Sequence, residues 1–161
     1  MLANKLFVSY GQKPIQMVQE ILTHLNLAAI IPQGARVGLK PNLVVARPHH
    51  EGATTAPELV EGVILYLKSH GFDDIVIAEG SWIGDSTQRA FQVCGYTELA
   101  EKYGVELVDL QKDGFHTRKV DELELQICNE MENIDFLINL PVLKGHCQTK
   151  ITCALKNLKG C

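Results

Sequence analysis

The sequence predicts an α/β domain built on an open, mostly parallel sheet with flanking helices, Rossmann-like in architecture. Three observations predict it. Apolar runs at Val37 to Leu39, Ile75 to Ala78 and Ile134 to Leu140 read as strands, the second near-continuous and so expected to be covered on both faces. Stretches with apolar residues every three to four positions lie between them and read as helices. Each strand run also ends in a polar loop. Strand, helix, strand, helix, strand is the order of a parallel sheet, and right-handed crossovers bring the strand ends to one edge.

In chain order, Leu6-Phe7-Val8 is a short strand-like run. Pro14 to Leu27 places Ile15, Val18, Ile21, Leu22 and Leu25 on one helical face, with Pro14 suited to the first turn. Val37 and Leu39 form a strand that Pro41 stops, which leaves Lys40 and Asn42 at its carboxyl end. Thr55 and Glu58 have the spacing of a capping box, and the following helix buries Leu59, Val60, Val63, Ile64 and Leu67 before Gly71. The second strand ends at Glu79, and a loop through Asp85, read as a helix N-cap, leads to helices at Thr87 to Cys94 and Thr97 to Tyr103. Val105 to Leu110 alternates as a strand, Lys112 to Thr117 reads as a polar turn, and Lys119 to Cys128 suggests an edge strand or hairpin. Glu130 to Asn133 connects to the last strand. The chain stops at Lys159-Gly160-Cys161 without a closing helix or strand in the pattern, which suggests a fragment of a longer protein.

With 161 residues, 46% hydrophobic and 21% charged, the chain suits a single soluble domain over residues 1–161. A formal charge of −4 argues against sequence-independent nucleic-acid binding. No apolar run approaches the roughly 18 to 20 residues that span a bilayer, and Met1 to Tyr10 lacks the pattern of a signal peptide. A cytoplasmic protein that uses no membrane is the expectation. Five cysteines, at 94, 128, 147, 153 and 161, form no C-x-x-C pair and no ferredoxin-type run, so they read as free thiols.

The rim of strand ends is where ligands bind in open sheets. Lys40 and Asn42 read as an anion grip, with a strand-ending Lys and a turn Asn as the plainer alternative. Thr54 and Thr55 could present a helix start to an anion, although the cap accounts for Thr55. Ser81 follows the second strand. Lys144, His146, Thr149 and Lys150 form the densest cluster, with His146 and Lys144 as catalytic candidates beside Glu79, against the reading of a mobile polar loop. Lys156 and Asn157 follow as ligand-binding candidates, or as a solvated helix end. His49 and His50 read as solvated, because no third metal ligand is evident, and Cys147 and Cys153 read as buried thiols.

Several of these stretches occur together in one known family. Val37-Gly38-Leu39-Lys40-Pro41-Asn42, Gly52 to Val60, Ile77-Ala78-Glu79-Gly80, Gly95-Tyr96, Leu140 to His146, Thr152 and Ala154 to Gly160 resemble, in order, the domain of unknown function 362 family. The resemblance runs from about residue 36 to the end. It implies a longer protein, often redox-associated, in which some members carry a ferredoxin-like iron–sulfur segment; no residue here matches that segment. A cluster or metal is thus an expectation for a full-length protein only, together with a redox partner. A more distant likeness in layout to the nickel-dependent lactate racemase group implies an anionic ligand or a cofactor. The function expected is binding of a small anionic ligand or cofactor at the sheet rim, in a redox-associated enzyme when full-length. The alternative is a non-catalytic binding or scaffolding module whose rim meets a partner or a missing C-terminal, ferredoxin-like segment.

Overall fold

The computed structural model describes residues 5–161; Met1 to Asn4, part of the segment read for a leader, lie outside the described residues. In chain order the elements are α1 (Pro14–His24), β1 (Val37–Pro41), α2 (Pro57–Ser69), β2 (Ile75–Glu79), α3 (Thr87–Val93), α4 (Tyr96–Tyr103) and β3 (Glu106–Asp109). There follow β4 (Phe115–Val120), β5 (Leu123–Cys128), α5 (Glu130–Asn133), β6 (Phe136–Leu140), β7 (Lys144–His146), β8 (Lys150–Thr152) and α6 (Ala154–Asn157). The α/β architecture is the one the sequence predicts. Four parallel strands make the sheet in the order β3-β2-β1-β6.

The two central strands, β1 and β2, bury every residue, which is why they read as apolar runs up to the charged residues Lys40 and Glu79 near their carboxyl ends. Val37 and Leu39 of β1, and Ile75 and Ile77 of β2, join one core with Val60, Val63, Ile64 and Leu67 of α2 and Ala90, Phe91, Tyr96 and Leu99 of α3 and α4. Edge strand β6 is only half-buried along its length and pairs with β1 in the register Val37–Phe136 to Pro41–Leu140. Pro41 therefore stays in the ladder on the β6 side, while pairing to β2 ends at Leu39.

At the amino-terminal edge, the Arg36 guanidinium reaches Asp74 at 2.8 Å, Glu106 at 2.7 Å and Glu130 at 2.7 Å. Those carboxylates raise its pKa further above the ordinary arginine range, and its backbone N–H donates to Asp135. One residue thus gathers the starts of β1, β2 and β3 with α5 through its side chain, and the turn before β6 through its backbone N–H.

Several local expectations are corrected. Leu6-Phe7-Val8 forms no strand. The capping box at Thr55 and Glu58 is absent: α2 starts at Pro57, its N-cap is Ala56, and Thr55 bonds elsewhere. Ser86, rather than Asp85, caps α3 by accepting from the Arg89 N–H at 3.3 Å. The stretch read as a turn at Lys112 to Thr117 already contains the start of β4, which pairs antiparallel with β5 from Phe115–Cys128 to Val120–Leu123. The edge strand or hairpin expected at Lys119 to Cys128 is thus present but begins earlier, and because both strands are mostly exposed the alternation that marks a half-buried strand is only partial. Residues 144–152 form a small antiparallel hairpin instead of an irregular loop, and the chain continues into the short helix α6. Cys147, in the hairpin turn, and Cys153, just after β8, are exposed rather than buried.

Helix α1 lies across α2 at Gly62, where an added Cβ would meet Val18 Cγ1 at 2.3 Å and the Ile15 carbonyl oxygen at 2.9 Å. Helix propensity alone favours alanine there by about 1 kcal/mol. The clash includes backbone that cannot rotate away, so overpacking, which costs about 1–3 kcal/mol, sets the sign. Gly62→Ala is expected to lower the urea midpoint; an unchanged or raised midpoint would show that α1 is free to slide.

Candidate functional site

The loops after β1 and β2 are sewn together residue by residue. The Leu43 N–H donates to Glu79 Oε2 at 3.0 Å, Ser81 Oγ donates to the Leu43 carbonyl at 2.6 Å, and the Trp82 N–H donates to the Val44 carbonyl at 3.0 Å. The Ala46 N–H then donates to Asp85 Oδ2 at 2.8 Å, and that bond with a second from Ser86 holds the Asp85 carboxyl below its ordinary range. These bonds prolong the contact between the two strands past the point where their ladder ends.

Beneath them lies a buried ion pair. Lys40 Nζ sits 2.7 Å from Glu79 Oε1, with the side chains 1% and 3% exposed. The same oxygen accepts from the Gly80 N–H at 2.8 Å, and Lys40 also donates to its neighbour's carbonyl, Pro41 O, at 3.3 Å. Burial pushes the Glu79 carboxyl up, and the Lys40 charge and the amide donors pull against it. A carboxylate with three donors around it and an ammonium with two acceptors form a largely satisfied pair.

The carboxyl end of β1 is closed by two further polar residues. Thr55 Oγ1 accepts from the Asn42 N–H at 2.9 Å and donates to the Leu140 carbonyl at 2.7 Å, which links β1 to β6. The buried Tyr96 hydroxyl donates to the Thr55 carbonyl. Asn157 Nδ2 contacts the carbonyls of Lys40 and Pro41 and Oδ1 of Asn139 at 2.8–3.2 Å, and so anchors α6 on the strand end. Gly80 and Gly160 lie face to face, each within 3.2 Å of the other's carbonyl oxygen for any added Cβ. That close approach lets the chain after α6 lie against the β2 loop.

A cleft of about 360 Å³ opens between these segments. Asn42, Glu79, Ser81, His146, Lys156 and Asn157, all expected at the rim, line it. So do Val44, Trp82, Ile83, Gln148 and Lys159, which were not expected as site residues. The position of Trp82 three residues after the strand-ending Glu79 was the one available signal for it. The indole lies so close over Gly84 that a Cβ there would meet Cζ3 at 2.0 Å. Oδ1 of Asn42 is buried and has no hydrogen-bond partner. Nδ1 of His146 accepts from the N–H groups of Gln148 and Thr149, which places the ring proton of the neutral imidazole on Nε2. Among the described residues, Lys156 and Lys159 have no carboxylate within ion-pair distance.

The remaining expected residues lie outside this lining. Lys40 is under the floor, held by Glu79. Thr54 donates to the Arg47 carbonyl, and Thr55 ties the strand ends. Lys144 donates to the Ala53 carbonyl; burial pushes its pKa down and the nearby Lys156 charge adds to that shift. Thr149 and Lys150 are exposed on the hairpin. His49 and His50 sit edge to face at 6.1 Å, and no group of three metal-ligating side chains occurs among the described residues.

Comparison with known proteins places these features in context. The model of the family described as Domain of unknown function (DUF362) matches residues 37–161. A thylakoid-associated protein of Synechocystis sp. is 29% identical over 136 residues, which cover 84% of this chain and 42% of that protein. The chain thus spans less than half the length of this relative. No solved structure matches. No helix among the described residues is long and apolar enough to cross a membrane.

Removing Lys40 alone would leave a buried, uncompensated carboxylate, a loss of about 3–5 kcal/mol. Lys40→Met is therefore expected to destabilise strongly at neutral pH, and Lys40→Met with Glu79→Gln to recover much of the loss. In the single variant the raised Glu79 pKa makes the folded state bind the extra proton, so the deficit should shrink below that pKa and grow as pH rises through it. Denaturant unfolding at several pH values checks both outcomes.

Proposed function

We propose that this chain, which belongs to the domain of unknown function 362 family, binds a small anionic ligand in the cleft at the carboxyl ends of β1 and β2. The observation that carries the reading is the charge balance of the cleft. The carboxylate in its floor, Glu79, is matched by Lys40 beneath it. Lys156 and Lys159 stand on the wall without a counter-ion among the described residues, and the charge of Lys144 is close enough to Lys156 to be felt. The local field therefore favours an anion although the whole chain is acidic.

Each polar group has a role in this reading. Lys156 and Lys159 supply charge, and His146 supplies a donor through Nε2, because Nδ1 already accepts two backbone bonds. Asn42 offers a carboxamide with an unused acceptor. Lys40, Glu79, Thr55 and Asn157 are positioning residues that hold the loops and α6 around the cleft. The general location, the edge to which strands of an open parallel sheet point, supports the same reading.

Titration of the chain with inorganic phosphate and with malonate, followed by calorimetry and by the emission of Trp82, the single tryptophan, tests this. Saturable binding that weakens with added salt is expected, and a charged hydrogen bond contributes enough that Lys156→Ala should weaken it about tenfold or more. No heat and no emission change with either anion would overturn the proposal.

A further inference from the structure

We infer that the anion this cleft takes is carried on a flat aromatic body with a hydrogen-bond donor, a ligand of the size and chemistry of a nucleoside monophosphate. The inference rests on the anion-binding reading and goes beyond it to the class of ligand. Three features of the cleft require three features of the occupant.

The first is the apolar wall. Trp82 is 60% exposed and Ile83 93% exposed, although each lines a cleft. Large apolar side chains left to water beside a binding site mark a surface that a ligand covers. The Trp82 indole is backed by Gly84, where any Cβ would collide with it, and its backbone is pinned by the bond to Val44. A supported indole is a stacking platform for a planar ring.

The second is Asn42. Its Oδ1 is buried without a partner, and the residue is 8% exposed. A carboxylate or a fully ionised phosphate ester carries acceptors only, and so leaves this oxygen unmet. An N–H or O–H group on the occupant, beside its charge, would give this oxygen the partner that the protein does not supply. The third is size. About 360 Å³ lies at the low end of the roughly 300–1,000 Å³ of small-molecule sites. One ring, one sugar-sized spacer and one anionic group fit that range better than a dinucleotide. A nucleoside monophosphate combines a planar ring, amino and hydroxyl donors, and a phosphate for Lys156 and Lys159.

The test is a set of calorimetric titrations of the whole chain with adenosine 5′-monophosphate, ribose 5-phosphate, adenosine and inorganic phosphate. The nucleotide is expected to bind at least about tenfold more tightly than ribose 5-phosphate or adenosine, the lower part of the range for stacking on an aromatic side chain. Trp82→Ala should bring the nucleotide down to the affinity of ribose 5-phosphate, and Asn42→Leu should weaken the nucleotide several-fold. Circular dichroism and urea midpoints confirm that both variants fold. Equal affinity for the nucleotide and ribose 5-phosphate, or a nucleotide affinity that Trp82→Ala does not change, overturns the aromatic class while phosphate binding still upholds the anion site. Absence of binding by all four compounds overturns both.

Discussion

The buried pair between Lys40 and Glu79 is the interaction on which the carboxyl end of this sheet depends. A charge taken from water costs several kcal/mol unless a partner and hydrogen bonds replace the lost solvation. Here they do: the carboxylate accepts from Lys40, Leu43 and Gly80. The consequence is directional. Glu79 ends β2 and Leu43 lies beyond β1, so the pair fixes where both loops leave the sheet. It also neutralises the floor of the cleft, which leaves the wall lysines to set its sign.

The two ends of the sheet are closed by different means. At the amino edge one arginine gathers carboxylates from β3, α5 and the residue before β2, partly in solvent, as a clamp. At the carboxyl edge the closures are hydrogen bonds to strand-end carbonyls, made by Thr55 and Asn157. Strand ends leave backbone acceptors that a buried environment must satisfy. Meeting that requirement with short polar side chains leaves room above them, and the cleft occupies that room.

This division explains why polar residues near one another in a motif separate in the fold. In Lys40-Pro41-Asn42, the lysine is a structural cation, whereas the asparagine lines the cleft and keeps a buried carboxamide oxygen without a partner. In Lys156-Asn157, the asparagine anchors the short helix, and the lysine is delivered to the wall by that anchor. The Lys144 to Lys150 cluster divides the same way: His146 faces the cleft, whereas Lys144 bonds to the Ala53 carbonyl.

What the sequence determined by itself was the sheet and its rim. Central strands buried on both faces are mostly apolar, so β1 and β2 were legible from composition, and right-handed crossovers then fixed which edge collects the loops. It also set Lys40, Asn42, Glu79, Ser81, Lys144 and His146 at that edge and offered Lys156 and Asn157 as further ligand candidates; of these, Lys40 and Lys144 lie outside the cleft lining. Tertiary structure alone decided the rest. The partner of Glu79 lies 39 residues away, so no local spacing could reveal it. Thr55 left the expected cap because the Leu140 carbonyl, 85 residues on, offered its hydroxyl a buried acceptor. Partial alternation over Lys119 to Cys128 points to an edge strand or hairpin, but the start of β4 at Phe115 reads as a turn because that strand is mostly exposed. Trp82 and Lys159 joined the site only when the Gly80–Gly160 approach brought two distant loops together, since contacts made by close packing leave no periodic trace in the chain.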